Sequence, residues 1–241
     1  MPRTWLSGCV DGHRRLENRL AATVTEDAVR SPCRLPGWTV GHLLTHLARN
    51  ADAHAWVVEA AGRGEVVPMY PGGPSARDEA IEAGSARSAE ELVNDVLSSS
   101  RRLEKSWTEA SHQVWAEGLG LRASGPATVS DFVFLRWREV EVHQADLGLG
   151  SRVEPWDVLP AAYLDREWIE MTRGLEARLP DGVSIVLVPG DRPSRAFGRP
   201  AADPADQAAI VRVHGTAGRL LAWLMDRGAE PAWPTLHPWS Y

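Results

Sequence analysis

Cysteine is scarce in this 241-residue chain: there are only Cys9 and Cys33, and neither belongs to a CxxC pair. That excludes a disulfide framework and a cysteine-built metal or redox motif. Long apolar runs are missing too, stretches such as Ile185-Val186-Leu187-Val188 falling far short of the ~20 residues needed to cross a bilayer. Residues Met1 to Arg15 lack a basic segment leading into an apolar one, so no secretory signal is expected. Positive charge is not in excess: the formal net charge is −6, which argues against a nucleic-acid partner. There is no internal repeat and no low-complexity tract. The remainder, 44% hydrophobic and 24% charged, is ordinary globular usage and leads to the expectation of a soluble, cytoplasmic protein without a membrane partner.

The first 150 residues read as helices. Leu6, Val10, Leu20 and Val24 recur at helical spacing and predict a first helix from about Thr4 to Val29. Ser31-Pro32 and Leu35-Pro36-Gly37-Trp38 then mark a turn. Thr39 is the N-cap of a second helix, Val40 to about Ala61. A long irregular connection follows through Pro68-Met69-Tyr70-Pro71-Gly72-Gly73-Pro74, with a short helix over Ser75 to Ala83; loops of this length are often functional. Further helices are predicted from Ser88 to about Glu109 and from about Ser130 to Leu147, ended by Gly148-Leu149-Gly150. Four such helices suggest an antiparallel bundle. Beyond Pro155 the pattern mixes a helix over Leu159 to Leu179, strands at Val183 to Val188, Ser194 to Gly198 and Ala208 to Val213, a helix from Gly215 to Arg227 and an irregular tail. The expected fold is mainly α, a four-helix bundle over residues 1–152 followed by a small α/β domain over 153–241.

A few polar residues do not fit a core. His42 and His46 lie four apart on one face of the second helix, against Leu43, Leu44 and Leu47. Glu139 and His143 share that relation on the fourth helix, while Glu141 lies about 200° round and points away. Four residues rise about 6 Å, which lets two side chains converge on one ion. A third ligand from a facing helix would complete a three-ligand site with an open position, the layout of a catalytic zinc. Spacing alone leaves two readings open here, a metal centre or satisfied core histidines.

The segment from Leu35 to Asn50, LPGWTVGHLLTHLARN, resembles the second-helix motif of the mycothiol-dependent maleylpyruvate isomerases, members of the DinB-like metalloenzyme superfamily. Arg138 to Gly148, REVEVHQADLG, resembles their fourth-helix motif. Pro68-Met69-Tyr70 and Ala76-Arg77 resemble the loop after helix two. The likeness runs along most of the chain and implies a DinB-like bundle with a C-terminal α/β domain. It also implies His46, Glu139 and His143 as metal ligands, zinc or another divalent ion as the metal, and mycothiol as the thiol cofactor. His42 matches a non-ligand position and is assigned packing.

The implied reaction is cis–trans isomerisation of maleylpyruvate or a similar activated alkene. Reversible addition of a thiolate turns the double bond transiently into a single bond that can rotate. Thiols near pKa ~8.5 are mostly protonated at neutral pH, and zinc deprotonates a bound one. Neither protein cysteine is required. A substrate with two carboxylates calls for arginine. Arg77 is the first candidate catalytic residue, the alternative being a solvated arginine beside Asp78 and Glu79; Arg219 is a second, flanking with Arg227 the place on the last helix where the family carries a basic group and this chain has Ala222. Two alternatives stand beside this reading: a mycothiol S-transferase acting on another electrophile, and a metal-free DinB-like binding module. Among the remaining residues, His13 is expected as a buried structural histidine or a neighbour of the metal pocket. Asp146 is expected to orient His143 or to be solvated. Trp5, Trp107 and Trp137 should pack the bundle, Trp233 and Trp239 should pack the tail, and Arg101-Arg102 should sit on a solvated face.

Overall fold

The computed structural model describes residues 3–150, 155–198, 210–228 and 230–238. The chain divides into two compact units, Met1–Arg152 and Val153–Tyr241. Ten α-helices and five strands are found among the described residues. None of these helices is long and apolar enough to cross a membrane.

In the first unit four long helices, α1 (Arg3–Thr23), α3 (Val40–Gly62), α5 (Ala89–Glu109) and α7 (Val129–Asp146), pack in a closed cycle: α1 on α7, α7 on α3, α3 on α5 and α5 on α1. Capping sets their ends. Thr39 opens α3 with a capping box to His42, Ser88 opens α5 with one to Glu91, and Thr128 opens α7 with one to Asp131. Leu16, Leu20, Leu43, Leu44, Leu47, Leu92, Val96, Val140 and Leu147 fill the core between the helices and are essentially unexposed. Gly41 is required where it stands, because a Cβ there would lie 2.3 Å from the carbonyl oxygen of Ser85.

Three expectations are corrected. The first helix does not run to Val29: it stops at Thr23, and Thr25 caps a separate short α2 (Glu26–Arg30) by accepting from Ala28 N. The helix expected over Leu159 to Leu179 is broken at Gly174 (φ +85°) into α8 (Ala161–Thr172) and α9 (Leu175–Arg178). Between α5 and α7 the chain forms α6 (His112–Glu117) and a hairpin of β1 (Leu119–Arg122) and β2 (Gly125–Thr128), none of which the periodicity revealed. The hairpin matters for the site. Leu121 bridges the long loop at Pro68, accepting from Met69 N at 2.9 Å and donating to Val67 O at 2.9 Å. It thereby fixes the segment leading to Tyr70 and on to α4 (Gly73–Gly84), which opens on the left-handed Gly72 (φ +82°).

The second unit is a three-stranded sheet in the order β4–β3–β5. β3 (Ser184–Pro189) is central, antiparallel to β4 (Arg195–Gly198) and parallel to β5 (Ile210–Gly215). Helix α10 (Ala217–Leu224) packs against α8 and is capped by Thr216. Trp233 packs edge-on against Trp223, and Pro234 O accepts from Trp223 Nε1, so this part of the tail is held down. Trp239 and the first residues of the strand expected over Ala208 to Val213 lie outside the described residues.

Candidate metal centre

Helices α3 and α7 carry polar side chains in matched layers. Stepping along α3 through His46, Asn50 and His54 meets α7 read backwards through His143 and Glu139, then Arg136, then Phe132. The antiparallel crossing of two helices with near-equal pitch produces this register.

In the first layer three lone-pair-bearing atoms converge. His46 Nε2 lies 2.9 Å from Glu139 Oε2 and 3.1 Å from His143 Nε2, and His143 Nε2 lies 3.2 Å from the same carboxylate oxygen. Ligand bonds of 2.0–2.1 Å in a tetrahedral site place neighbouring donor atoms about 3.3 Å apart. The observed triangle is close to that geometry, and two imidazoles with one carboxylate are a donor set that suits zinc and other divalent transition metals. Among the described residues this is the one cluster of three such ligands.

Its surroundings orient it. His143 Nδ1 lies 2.9 Å from Asp146 Oδ2, and the carboxylate draws the ring proton to Nδ1, leaving the Nε2 lone pair facing the cluster. The His46 ring stands 5.7 Å from the Trp38 ring, and its buried Nδ1 has no hydrogen-bond partner among the described residues. The Leu-Pro-Gly-Trp turn thus supplies one wall of the site. Burial pushes the Glu139 carboxyl upward, but its contacts with the His143 and His46 rings outweigh it and hold the group well below the usual carboxylate range. Burial lowers the His46 pKa. At His143 burial acts in the same sense but is overcome by Asp146 and Glu139, so this imidazole lies above its ordinary value.

The other candidates separate clearly. His42 stays out of the cluster: its Nδ1 takes part in the cap of α3, 2.8 Å from Thr39 Oγ1, and its Nε2 meets Glu82 at 3.2 Å. Glu141 faces α1, where it accepts from Trp137 Nε1 at 2.8 Å and pairs with Arg15. Arg77, on α4, lies over the Tyr70 ring at 5.7 Å, and its charge is felt at His46. Its buried Nε is ion-paired with adjacent Asp78 at 3.5 Å and makes no hydrogen bond among the described residues. Arg219 belongs to the second unit, where its guanidinium is 2.7 Å from Glu230. His13 is not part of the cluster; it sits in the next layer with Arg136 and Glu104. Arg101 pairs with Glu17, and Arg102 with Glu59, both at the surface. The sequence reading gave no role to Trp38, Asn50, Tyr70 or Arg136. The signal for Tyr70 was its place in the long Pro- and Gly-rich loop; a charged residue such as Arg136 reads as solvated wherever it falls in a helix.

Residues 10–148 match the family model described as the mycothiol maleylpyruvate isomerase N-terminal domain. Two solved structures, crystal structures of the mycothiol-dependent maleylpyruvate isomerase and of a histidine-to-alanine mutant of it, each superpose with a TM-score of 0.80 at 27% identity. In each case the match covers 95% of this chain and 90% of the other. No curated protein matches. With a family model matched over more than half of its length and two solved enzymes superposing along nearly all of it, the chain is an enzyme and belongs to the mycothiol maleylpyruvate isomerase family.

Proposed function

We propose that this enzyme isomerises maleylpyruvate, or a closely similar cis-configured activated alkene bearing carboxylates, with mycothiol as thiol cofactor and zinc as the ion. The observation that carries the reading is the His46–Glu139–His143 triangle, three ligands from two helices with no fourth His, Cys, Asp or Glu joining them among the described residues. When bound, the ion would keep the cofactor's sulfur as thiolate, and reversible addition of that sulfur would convert the double bond into one that rotates.

The chain's own residues divide the remaining work. Two neutral imidazoles and one carboxylate leave a divalent ion a net charge of +1, so the pocket stays receptive to an anionic sulfur and an anionic substrate. Asp146 holds the proton of His143 on Nδ1 and keeps Nε2 available. Trp38 walls the site beside His46, limiting water there. Arg77 is assigned the substrate carboxylate and the negative charge that builds on it during addition. It suits that role because its one ion pair among the described residues is a 3.5 Å contact with exposed Asp78, whereas Arg219 is held at 2.7 Å by Glu230. Both cysteines are spectators: Cys9 is buried, with its thiol pushed up mainly by burial, and Cys33 is shifted the same way.

The test is direct. Zinc-loaded protein mixed with mycothiol and maleylpyruvate is expected to convert the cis acid to the trans acid while the thiol concentration stays constant. Stoichiometric loss of thiol would replace isomerisation with S-transfer, and no turnover with intact zinc would end the reading.

A further inference from the structure

The long loop and α4 place one hydroxyl beside the metal-type cluster that the site as described leaves unused. Tyr70 is half-buried under the Arg77 guanidinium. Its backbone is fixed on both sides: Met69 N donates to Leu121 O at 2.9 Å, and Gly73 N donates to Tyr70 O at 3.0 Å. The phenol oxygen accepts from Asn50 Nδ2 at 3.2 Å. Which end of the Asn50 amide faces the phenol is decided from the other side, because Asn50 Oδ1 accepts from Arg136 Nη1 at 2.9 Å. Arg136 cannot reverse that polarity, since a guanidinium only donates. A relay of fixed direction therefore runs from Arg136 through Asn50 to the phenol oxygen. It leaves the phenol hydrogen without an acceptor among the described residues.

Asn50 lies one helical turn beyond His46, and Arg136 nearly one turn before Glu139, so the relay is the layer next to the cluster. The phenol feels the Glu139 charge, and Arg77 is felt at both Tyr70 and His46. Burial, helped by Glu139, pushes the Tyr70 pKa up to about 12, which keeps the group a donor at any working pH. A hydroxyl with an uncommitted proton, under a guanidinium whose one ion pair among the described residues is the 3.5 Å contact with Asp78, forms with it a two-point receptor for a planar carboxylate.

We propose that the Tyr70 hydroxyl binds substrate: with Arg77 it grips one carboxylate of a dicarboxylate, and Asn50, held by Arg136, is the positioning residue that turns the phenol proton toward it. This deepens the isomerase reading and rests on it for the identity of the substrate. It is a statement about carboxylate binding, however, and that can be measured without turnover.

The experiment compares full-length, zinc-loaded wild type with Tyr70→Phe and Asn50→Asp. Maleate binding is followed by calorimetry in the absence of thiol, and kcat/KM is measured with maleylpyruvate and mycothiol. Removing a hydrogen bond to a charged group is worth about 10-fold or more. Tyr70→Phe should therefore weaken maleate binding by about that factor and lower kcat/KM in parallel, with zinc content and melting temperature near wild type. Asn50→Asp retains the hydroxyl but offers it an acceptor on the wrong side, so it should give a similar loss; a residue that only packed its ring would be indifferent to that change. Maleate affinity within twofold of wild type in Tyr70→Phe overturns the proposal, as does a wild type that binds no maleate. Should Tyr70→Phe fail to fold, Asn50→Asp decides on the same criterion. A wild type that binds maleate but does not isomerise maleylpyruvate refutes the reaction, while loss of binding in the variants still upholds the receptor.

Discussion

Two buried polar clusters lie one helical turn apart on α3 and α7, and they are built in opposite senses. In the His46–Glu139–His143 layer acceptors converge: three lone-pair-bearing atoms face one another at 2.9–3.2 Å, an arrangement that a cation completes. In the Arg136 layer a cation is already at the centre. The fully buried guanidinium donates to His13 Nε2, Leu47 O, Asn50 Oδ1 and Ser100 Oγ, and His13 in turn contacts Glu104 at 2.7 Å. The first layer has the composition of a binding site; the second is a core network satisfied around Arg136, which reaches the substrate side only through Asn50 and Tyr70. Residue type alone does not separate them. Cys9, His13 and Glu104 even line up like a nucleophile, base and orienting acid, with Sγ 4.0 Å from His13 Nε2. Burial pushes that thiol strongly upward, however, and Arg136 already occupies the Nε2 lone pair, so the alignment has no catalytic content.

Substitutions can break this contrast. The largest effect is expected in the first layer: His143→Ala or His46→Ala should abolish stoichiometric zinc and lower kcat/KM by ~1000-fold or more, beyond the 10–100-fold range of outer partners. Metal analysis with steady-state kinetics measures this. In the second layer Arg136→Met should act on stability, costing about 4 kcal/mol in urea unfolding, because several buried acceptors lose their donor together. Any protein that remains folded should still bind zinc.

Acid should act on the second layer through His13, whose pKa is lowered to about 4 mainly by burial and secondarily by Arg136, against the Glu104 hydrogen bond. The sign follows from linkage. Between about pH 6.5 and pH 4 the unfolded chain takes up a proton at this position that the folded chain refuses, so stability falls with pH across that window. The loss is about 3 kcal/mol. Unfolding curves at pH 6.5 and 4.5 for wild type and His13→Gln isolate the contribution, which should vanish in the variant. A smaller effect is expected at Asp146→Asn, which should weaken zinc binding by ~10–100-fold in a chelator competition while leaving the bundle intact. Smallest of all, Cys9→Ala should change kcat/KM by less than about twofold and cost about 1 kcal/mol of packing.

The two layers also show what a sequence discloses. The ligand pair on α7 and the histidine on α3 are legible because four-residue spacing on a helix is itself geometry, and the cap at Thr39 is a local signal. The long amphipathic helices follow from the same periodicity. The β1–β2 hairpin is hidden because each strand has four residues and includes a glycine, too short to show alternation. The breaks at Thr23 and Gly174 interrupt apolar patterns that continue past them, so the periodicity runs straight through the caps. Arg136 and Asn50 are the deepest omission. Their roles depend on which partners the bundle brings from α1, α5 and the loop after α3, and nothing near them in the chain records those partners.

Three protein ligands are expected to hold one ion and to leave a position that an external sulfur can take. Cobalt(II) reconstitution of the Cys9→Ala/Cys33→Ala protein tests it with no protein thiol present. One equivalent of cobalt is expected, with an intense near-ultraviolet thiolate-to-metal charge-transfer band that appears only when mycothiol is added. Failure to bind cobalt, or a cobalt spectrum indifferent to mycothiol, would contradict it.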